Sequence, residues 1–457
     1  MMSKAKRKPK IDVKPIDVLS QINLNAAGLD IGAAEIYACV PADRDEQSVQ
    51  VFATFTADLH TLADWLSKCG VDTVAMESTG VYWIPIYEIL ESRGFEVYLV
   101  NARHLKNVAA KETDVLACQW IQKLHTYGLL QRSFRPPEDI CALRALVRHR
   151  RTLIEYRSSH IQHMQKALQQ MNVQLTQVVS DITGLTGLLI IRAIVAGERD
   201  PKVLARMRNG RCAHSEAEIA AALEGHYKRE YLFVLKQALA QYDFYDQQIR
   251  ECDAELERIY ATLPAAEADS DDPAPAPKST KRKPRKNQAH FDLTSALYQM
   301  VGVDLAAVDG LDALTVQDII TEIGLDMSPW PTVKHFTSWL CVAPHNKKSG
   351  GRILKTGTRK TKNRANAALR LAAQSLSHSH SALGAFYRRK RAQLGPEKAN
   401  LATAHKLARI IYYMLKNRQP YVDQGETYYE QQYQERAIRN LKLKAASFGL
   451  ELVPASP

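Results

Sequence analysis

The sequence predicts a chain of three parts: an α/β domain on a mixed sheet, a long pair of coiled-coil helices, and a mainly helical domain beyond a linker. Three observations predict it. Short β-rich runs alternate with helical stretches in the first part, apolar residues then recur in steps of three, four and seven, and a stretch rich in Pro, Ala and charge precedes the last part. At 457 residues the chain exceeds one ordinary core, because domains average ~100 to 200 residues.

The opening MMSKAKRKPKIDVK is basic and nearly devoid of apolar residues, so residues 1–24 read as a disordered basic arm, with order expected from Asn25. The runs AAGLDIGAAEIYACV, SVQVFATF, DTVAMES and FEVYLVN follow, with helical stretches at 57–68 and 83–93. The early runs suit a hairpin and the later ones alternate with helices. A mixed sheet with helices on its faces, as in RNase H-like domains, satisfies that order over 25–132.

Across 133–263 the apolar positions Leu143, Val147, Ile154, Ile161, Met164, Leu168 and Met171 form a heptad seam. Ala238, Tyr242, Tyr245, Ile249, Cys252, Leu256 and Ile259 form a second. An internal antiparallel hairpin and a dimerisation arm satisfy this pattern equally. Residues 264–290 carry alternating Ala and Pro, an acidic patch and a basic patch, and read as a flexible linker. A helical domain is expected over 291–421 and a helical extension with a frayed end over 422–457.

Lys and Arg total 61 against 49 Asp and Glu, a net charge of +12 that points to polyanionic partners. The longest apolar run, Gly187 to Gly197, is interrupted by Arg192, so neither a membrane span nor a secretory signal is expected. Seven cysteines without a CxxC pair argue against a zinc ribbon and a disulfide framework, and fit a reducing cytoplasm.

Asp30 in GLDIG and Glu77 in VAMESTG each end an apolar β-run, where a carboxylate is costly unless it meets a cation. Singly, an acid at such a place is more often a cap or loop residue. Asp114 in KETDVLACQW opens a helix, and position 117 lies three residues on, on the same face. Paired acids at that spacing can serve one metal centre, and carboxylate clusters hold two metals ~3.5 to 4 Å apart for phosphodiester chemistry. Position 117, however, is alanine. Glu112, two residues from Asp114, points to another face.

The succession LDIG, MESTG, NARHLKN and KETDVLACQW, with DITGLTG, IIRAIVAGERDP and VDGLDALTVQDIITEIGLDMSPWPTVKHFTSWLCVAPHNKKSGGR, resembles the DEDD-type transposases of insertion sequences, described as bridge-RNA-guided recombinases. The likeness extends over nearly the whole chain. It implies an RNase H-like (RuvC-like) domain whose four acids match Asp30, Glu77, Asp114 and position 117, with Mg²⁺ or Mn²⁺ held by Asp30, Glu77 and Asp114. It further implies that Ser349 is a nucleophile forming a covalent phosphoserine link to DNA. The implied partners are donor and target DNA, a non-coding guide (bridge) RNA and further copies of the chain, as a dimer or tetramer, in a bacterial cytoplasm at the nucleoid. Ala117 departs from the pattern at a metal ligand. With the other motifs intact it reads as an inactivating replacement.

Around Ser349, in HNKKSGGRILKTGTRKTKNRANAALR, Gly350 and Gly351 allow close backbone approach. Lys347, Lys348, Arg352, Lys355, Arg359, Lys360, Lys362 and Arg364 supply charge without an acid among them. The bland alternative is a solvated basic loop in which Ser349 precedes a turn. His345 is the one nearby candidate base. VDGLDALTVQDIITEIG reads equally as a phosphate-holding helix-hairpin-helix about Gly310 and as a packing helix-turn-helix. Trp330 and Trp339 are expected in the core, and His160 and His163 at the surface. The leading function is RNA-guided DNA strand exchange for an insertion sequence. A junction-resolving nuclease or site-specific invertase without RNA is the alternative enzyme, and Ala117 supports a third reading, a nucleic-acid-binding assembly without catalysis.

Overall fold

The computed structural model describes residues 20–78, 80–101, 113–266 and 286–453. Two compact units make up the chain, Met1–Arg135 and Pro136–Pro457.

In the first unit, strands β1 (Ala26–Ile31), β2 (Glu35–Cys39) and β3 (Val49–Ala53) are followed by helix α1 (Thr56–Lys68), β4 (Thr73–Glu77), α2 (Trp83–Ser92), β5 (Glu96–Val100) and α3 (Asp114–Thr126). The five strands form one sheet in the order β3-β2-β1-β4-β5. β1 to β3 pair antiparallel, whereas β1, β4 and β5 pair parallel. The mixed sheet expected from the alternation is present. Its period-two pattern sends Leu29, Ile36, Val74 and Met76 to one face, where they pack with Leu62 and Leu66 of α1 and Ile86 and Leu90 of α2. Ala75 and Val100 turn to the other face and pack with Ile121 and Leu124 of α3.

Helix α3 is fixed by polar contacts as well as by that smaller core. The Gln122 side-chain amide donates to the Ala26 carbonyl at 3.3 Å, and the buried His125 shares a 2.8 Å hydrogen bond with Thr73 Oγ1. Burial pushes the His125 imidazole down to about 4, so it packs as the neutral ring. The Ile22 and Asn23 amides donate to the Thr126 carbonyl at 2.8 and 3.0 Å. The docked chain therefore begins ahead of Asn25, within the arm expected over 1–24, whose residues 1–19 lie outside the described residues.

The second unit is organised on α4 (Glu138–Gln170) and, after α5 (Leu185–Ala196), α6 (Arg229–Thr262), which pack along each other. Their pairings, Arg150 with Asp253 and Arg157 with Asp246, run in opposite directions, so the two helices are antiparallel. Toward the end of α4, Met164, Leu168 and Met171 are buried as the seam requires. The middle departs from it. Ile154, Ile161, Tyr245 and Ile259 are only half-buried, and Arg150, Leu153, Arg157, Asp253 and Tyr260 take the inward places. The physical cause is charge: each buried guanidinium brings its own carboxylate, so the register follows ion pairs there.

Those same groups bind residues expected in the linker. Arg150 donates to the carbonyls of Asn287 and Gln288 at 3.1 and 3.0 Å, His290 Nδ1 lies 2.7 Å from Asp253 Oδ2, and Lys286 donates to Asp181 at 3.0 Å. Asn287, Gln288 and His290, within the linker expected over 264–290, are thus held against the long helices, and Lys286 against the turn at Asp181. The remainder of the linker from 267 to 285, with its acidic patch and most of its basic patch, lies outside the described residues.

Beyond it come α7 (Leu293–Val301), α8 (Ala313–Ile323), α9 (Val333–Trp339), strands β6 (Lys347–Ser349) and β7 (Arg352–Lys355), α10 (Arg364–Ser375), α11 (Ala382–Leu394), α12 (Pro396–Asn417) and α13 (Gly425–Ser447). Arg144 and Arg148 of α4 grip the end of α8: Arg144 donates to the Thr321 carbonyl at 2.9 Å, and Arg148 to the Glu322 carboxylate at 2.7 and 2.8 Å. Cations there satisfy the last carbonyls of a helix and oppose its dipole. Trp330 is buried, as expected, whereas Trp339, its ring centroid 4.8 Å away, is only half-buried. His160 stacks on Tyr245 and abuts His163. Gly310 has φ +88°, and a Cβ there would lie 2.9 Å from the Ala372 carbonyl. Asp312 caps α8 by accepting from the Thr315 amide at 2.9 Å. Tight packing accounts for the glycine and capping for the aspartate, which favours the helix-turn-helix reading.

Candidate functional site

The acids expected to act together sit at one end of the first unit's sheet. Asp30 is the penultimate residue of β1, and Glu77 closes its parallel neighbour β4. Leu29 pairs with Met76, so the next register position sets Asp30 beside Glu77. Leu29 and Met76 face the α1 and α2 core, which turns the two acids to the α3 face. Both are half-buried.

Helix α3 brings the other positions over that face. Gly28 lies against the backbone of Cys118 and Gln122, and the charge of Asp30 reaches the Cys118 thiol. Asp114, the first residue of α3, acts on Tyr37, which pairs with Asp30 across the antiparallel ladder. The Tyr37 hydroxyl is held above its ordinary range, chiefly by Glu35 beside it, with Asp114 adding least. Thr113 caps the helix by accepting from the Leu116 amide at 3.3 Å. Asp114 is exposed with the rest of the first turn, whereas Ala117 is 3% exposed and faces the sheet. Glu112 lies outside the described residues.

Asp30 and Glu77 are therefore neighbours, and Asp114 approaches from above. Among the described residues no group of three or more His, Cys, Asp or Glu side chains stands close enough to hold a metal ion. The expected three-acid set thus shares a face without forming one cluster, since Asp114 faces solvent at its helix start. In kind the set suits a hard divalent cation, being all carboxylate oxygen. Position 117, where the family resemblance implies a further acid, is Ala117 on the buried side of α3.

The sequence reading missed one buried pair near this site. Cys39 pairs with Gly28 across β1 and β2, and its thiol interacts with that of Cys118, which this contact and burial push well above the ordinary thiol range. Only the crossing of α3 over β1 brings the two together, whereas His125 lies at the other end of the sheet, against Thr73 at the start of β4.

In the second unit, Ser349 ends β6 and pairs directly with Arg352 of β7. Gly350 and Gly351 between them have φ +54° and +77°. Two such residues make the two-residue turn whose twist suits a hairpin, and a side-chain-bearing residue at either place would be strained. Cross-strand partners have Cβ atoms ~4.5 to 5.5 Å apart, so Ser349 and Arg352 leave the hairpin as direct neighbours. The helical domain expected over 291–421 thus contains a β-hairpin. Gly-Gly flanked by Ser and Arg, with Ile353 and Leu354 following, was the signal for it.

His345 donates its amide to the Gly357 carbonyl at 2.7 Å, closing the base of the hairpin. Ser349 is four steps along extended chain, roughly 13 Å at ~3.3 Å per residue, so His345 stands away from the hydroxyl rather than beside it. The hairpin is exposed, with Ile353 54% and Leu354 70% accessible. Lys347, Arg352 and Lys355 are exposed on it, and the Lys348 side chain lies outside the described residues. Arg359 donates to the carbonyl and hydroxyl of Ser338, Lys360 and Lys362 are exposed, and Arg364 opens α10 behind its cap Asn363. No helix among the described residues is long and apolar enough to cross a membrane.

Two family models match the chain. One, described as a transposase and of the DEDD type of IS110, covers residues 27–173, which include the sheet, α3 and all of α4. The other, described as the transposase IS116/IS110/IS902 family, covers residues 304–388, which include α8 and the Ser349 hairpin. No curated protein matches the chain.

Proposed function

The chain belongs to the IS110/IS116/IS902 family of DEDD transposases, the DNA-processing enzymes of insertion sequences, and on that premise we propose that it exchanges strands between donor and target DNA through Ser349. The observation that carries the proposal is the pair of matched regions, one containing Asp30, Glu77 and Asp114 and the other containing Ser349. The Ser349 hydroxyl attacks a backbone phosphorus, a P–O bond to serine forms, and a sugar hydroxyl leaves with the serine proton. Attack by a sugar hydroxyl of the other DNA on that ester joins the new strands and returns the serine. Arg352, opposite Ser349, is suited to neutralise the phosphoryl oxygens as charge builds on them.

DEDD domains generally use divalent metal ions, and Mg²⁺ or Mn²⁺ held by Asp30, Glu77 and Asp114 would supply Lewis-acid stabilisation of the reacting phosphate. Being anionic themselves, the three carboxylates would meet the strand's phosphate only through such a cation, and their own part is to fix its place at the sheet end. Ala117 leaves the set one carboxylate short, so in this chain binding is retained while exchange is impaired. A guide RNA that pairs with both DNAs would read sequence, leaving the protein's cations to hold backbones. The exposed hairpin also fits several copies working together, each offering its serine to another's acids.

The test restores the carboxylate. Purified Ala117→Asp protein is assayed for strand exchange with donor DNA, target DNA, Mg²⁺ and RNA transcribed from the element. Exchange should rise on the order of a hundredfold over the unaltered chain, equivalent to a few kcal/mol of transition-state stabilisation. No gain in the presence of RNA would show that position 117 is not part of the reacting site. Equal exchange with and without RNA would remove the guide.

A further inference from the structure

A cleft of about 760 Å³ in the second unit lies where α4, the first turns of α10 and α12, and α11 come together. Its size is that of a binding pocket, ~300 to 1,000 Å³. Four cations line it: Arg151 from α4, Lys362 before α10, and Arg364 and Arg370 on it. The acids lining it are Glu155 and Glu397. Three of the cations, Lys362, Arg364 and Arg370, form no ion pair among the described residues, and Arg151 is held only loosely, 3.6 Å from Glu155 and 3.8 Å from Asp318. Behind the cleft, burial raises the Asp318 carboxyl above its ordinary range despite Arg151 and Arg364. The first turn of α10 contains no acid, so its amide dipoles add to the positive potential. Asn400 fixes one wall by donating to the Arg370 carbonyl at 2.8 Å.

We propose that this cleft binds the phosphodiester backbone of a nucleic-acid strand, with Arg151 and Arg370 as phosphate contacts alongside Lys362 and Arg364. The four cations are drawn from two distant parts of the chain, and their convergence was not visible in the basic segment alone. Guanidinium groups suit the task because their planar fork pairs two oxygens of one phosphate. The site is separate from the Ser349 hairpin, and its assignment rests on the DNA-acting reading only in the choice of polyanion. DNA and RNA carry the same backbone phosphate, so both are offered in the test.

Labelled single-stranded DNA and RNA of one sequence are titrated by anisotropy, over a range of salt, with the unaltered full chain, the Arg151→Gln/Arg370→Gln variant, and Leu371→Glu, which sets an acid at the cleft while keeping its cations. The double variant should weaken binding on the order of tenfold and lower the log–log salt slope by about 1.4, at ~0.7 per lost contact on a single strand. Leu371→Glu should weaken binding in the same direction. Loss for one nucleic acid only would identify the strand that occupies the cleft. Unchanged affinity and slope for both nucleic acids, with thermal melting unchanged, would overturn the proposal. Chemistry at Ser349 is read separately, as covalent attachment of DNA, so a failure there leaves this result standing.

Discussion

Asp253→Ala is expected to destabilise the second unit by about 3 to 5 kcal/mol. Asp253 is 1% exposed and receives Arg150 at both oxygens, with His290 on one of them. Removing it leaves a guanidinium buried between α4 and α6 with only the carbonyls of Asn287 and Gln288 to meet it. An uncompensated interior charge is among the costliest single changes. Replacing both partners by apolar groups, as Arg150→Met with Asp253→Leu, should recover most of the loss, because the desolvation of the pair is removed with it. Urea unfolding of the three proteins checks this. If the double variant is as unstable as Asp253→Ala, packing rather than charge holds the seam.

Gly28→Ala is expected to cost about 3 kcal/mol or more and to lower strand exchange in the Ala117→Asp protein. A Cβ at position 28 would stand 2.3 Å from the Gln122 amide nitrogen and 2.5 Å from the Cys118 carbonyl oxygen. Both are backbone atoms of α3, which cannot give way as a side chain would. The helix would have to lift from β1, carrying Asp114 and position 117 away from Asp30 and Glu77. Gly210→Ala, where nothing lies within 4 Å of the added carbon, is the comparison and should be near neutral. Thermal melting and exchange assays read the two effects, and a stable but inactive Gly28→Ala protein would mean that the helix moved without unfolding.

Much of the first unit was legible because its signals are local. β1, β2, β4 and β5 are β-rich runs with alternating faces, and α1 and α2 carry their apolar stripes openly. Asp30 and Glu77 could be singled out as acids ending apolar runs. That they are neighbours is a property of strand order, since residues 32 to 72 lie between β1 and β4 and their pairing is long-range. The long helices were legible at their apolar ends, Met164 to Met171 and Leu256. Their middle was not, because a heptad reading assigns inward places to Ile154 and Ile161, whereas Arg150 and Arg157 take them with distant partners. The Ser349 hairpin was hidden by its composition. Lysines and glycines read as a solvated loop until the Gly-Gly pair is seen as a turn with two strands to close.

The central claim is that Ser349 carries the DNA during exchange, and one measurement addresses it directly. Ala117→Asp protein is incubated with donor and target DNA, Mg²⁺ and guide RNA, then denatured, digested and examined by mass spectrometry for nucleotide-linked peptides. The account predicts a phosphodiester adduct on the peptide containing Ser349, absent when Ser349→Ala is added. Strand exchange or cleavage that survives Ser349→Ala with no protein-linked DNA, or an adduct on another residue, would contradict it.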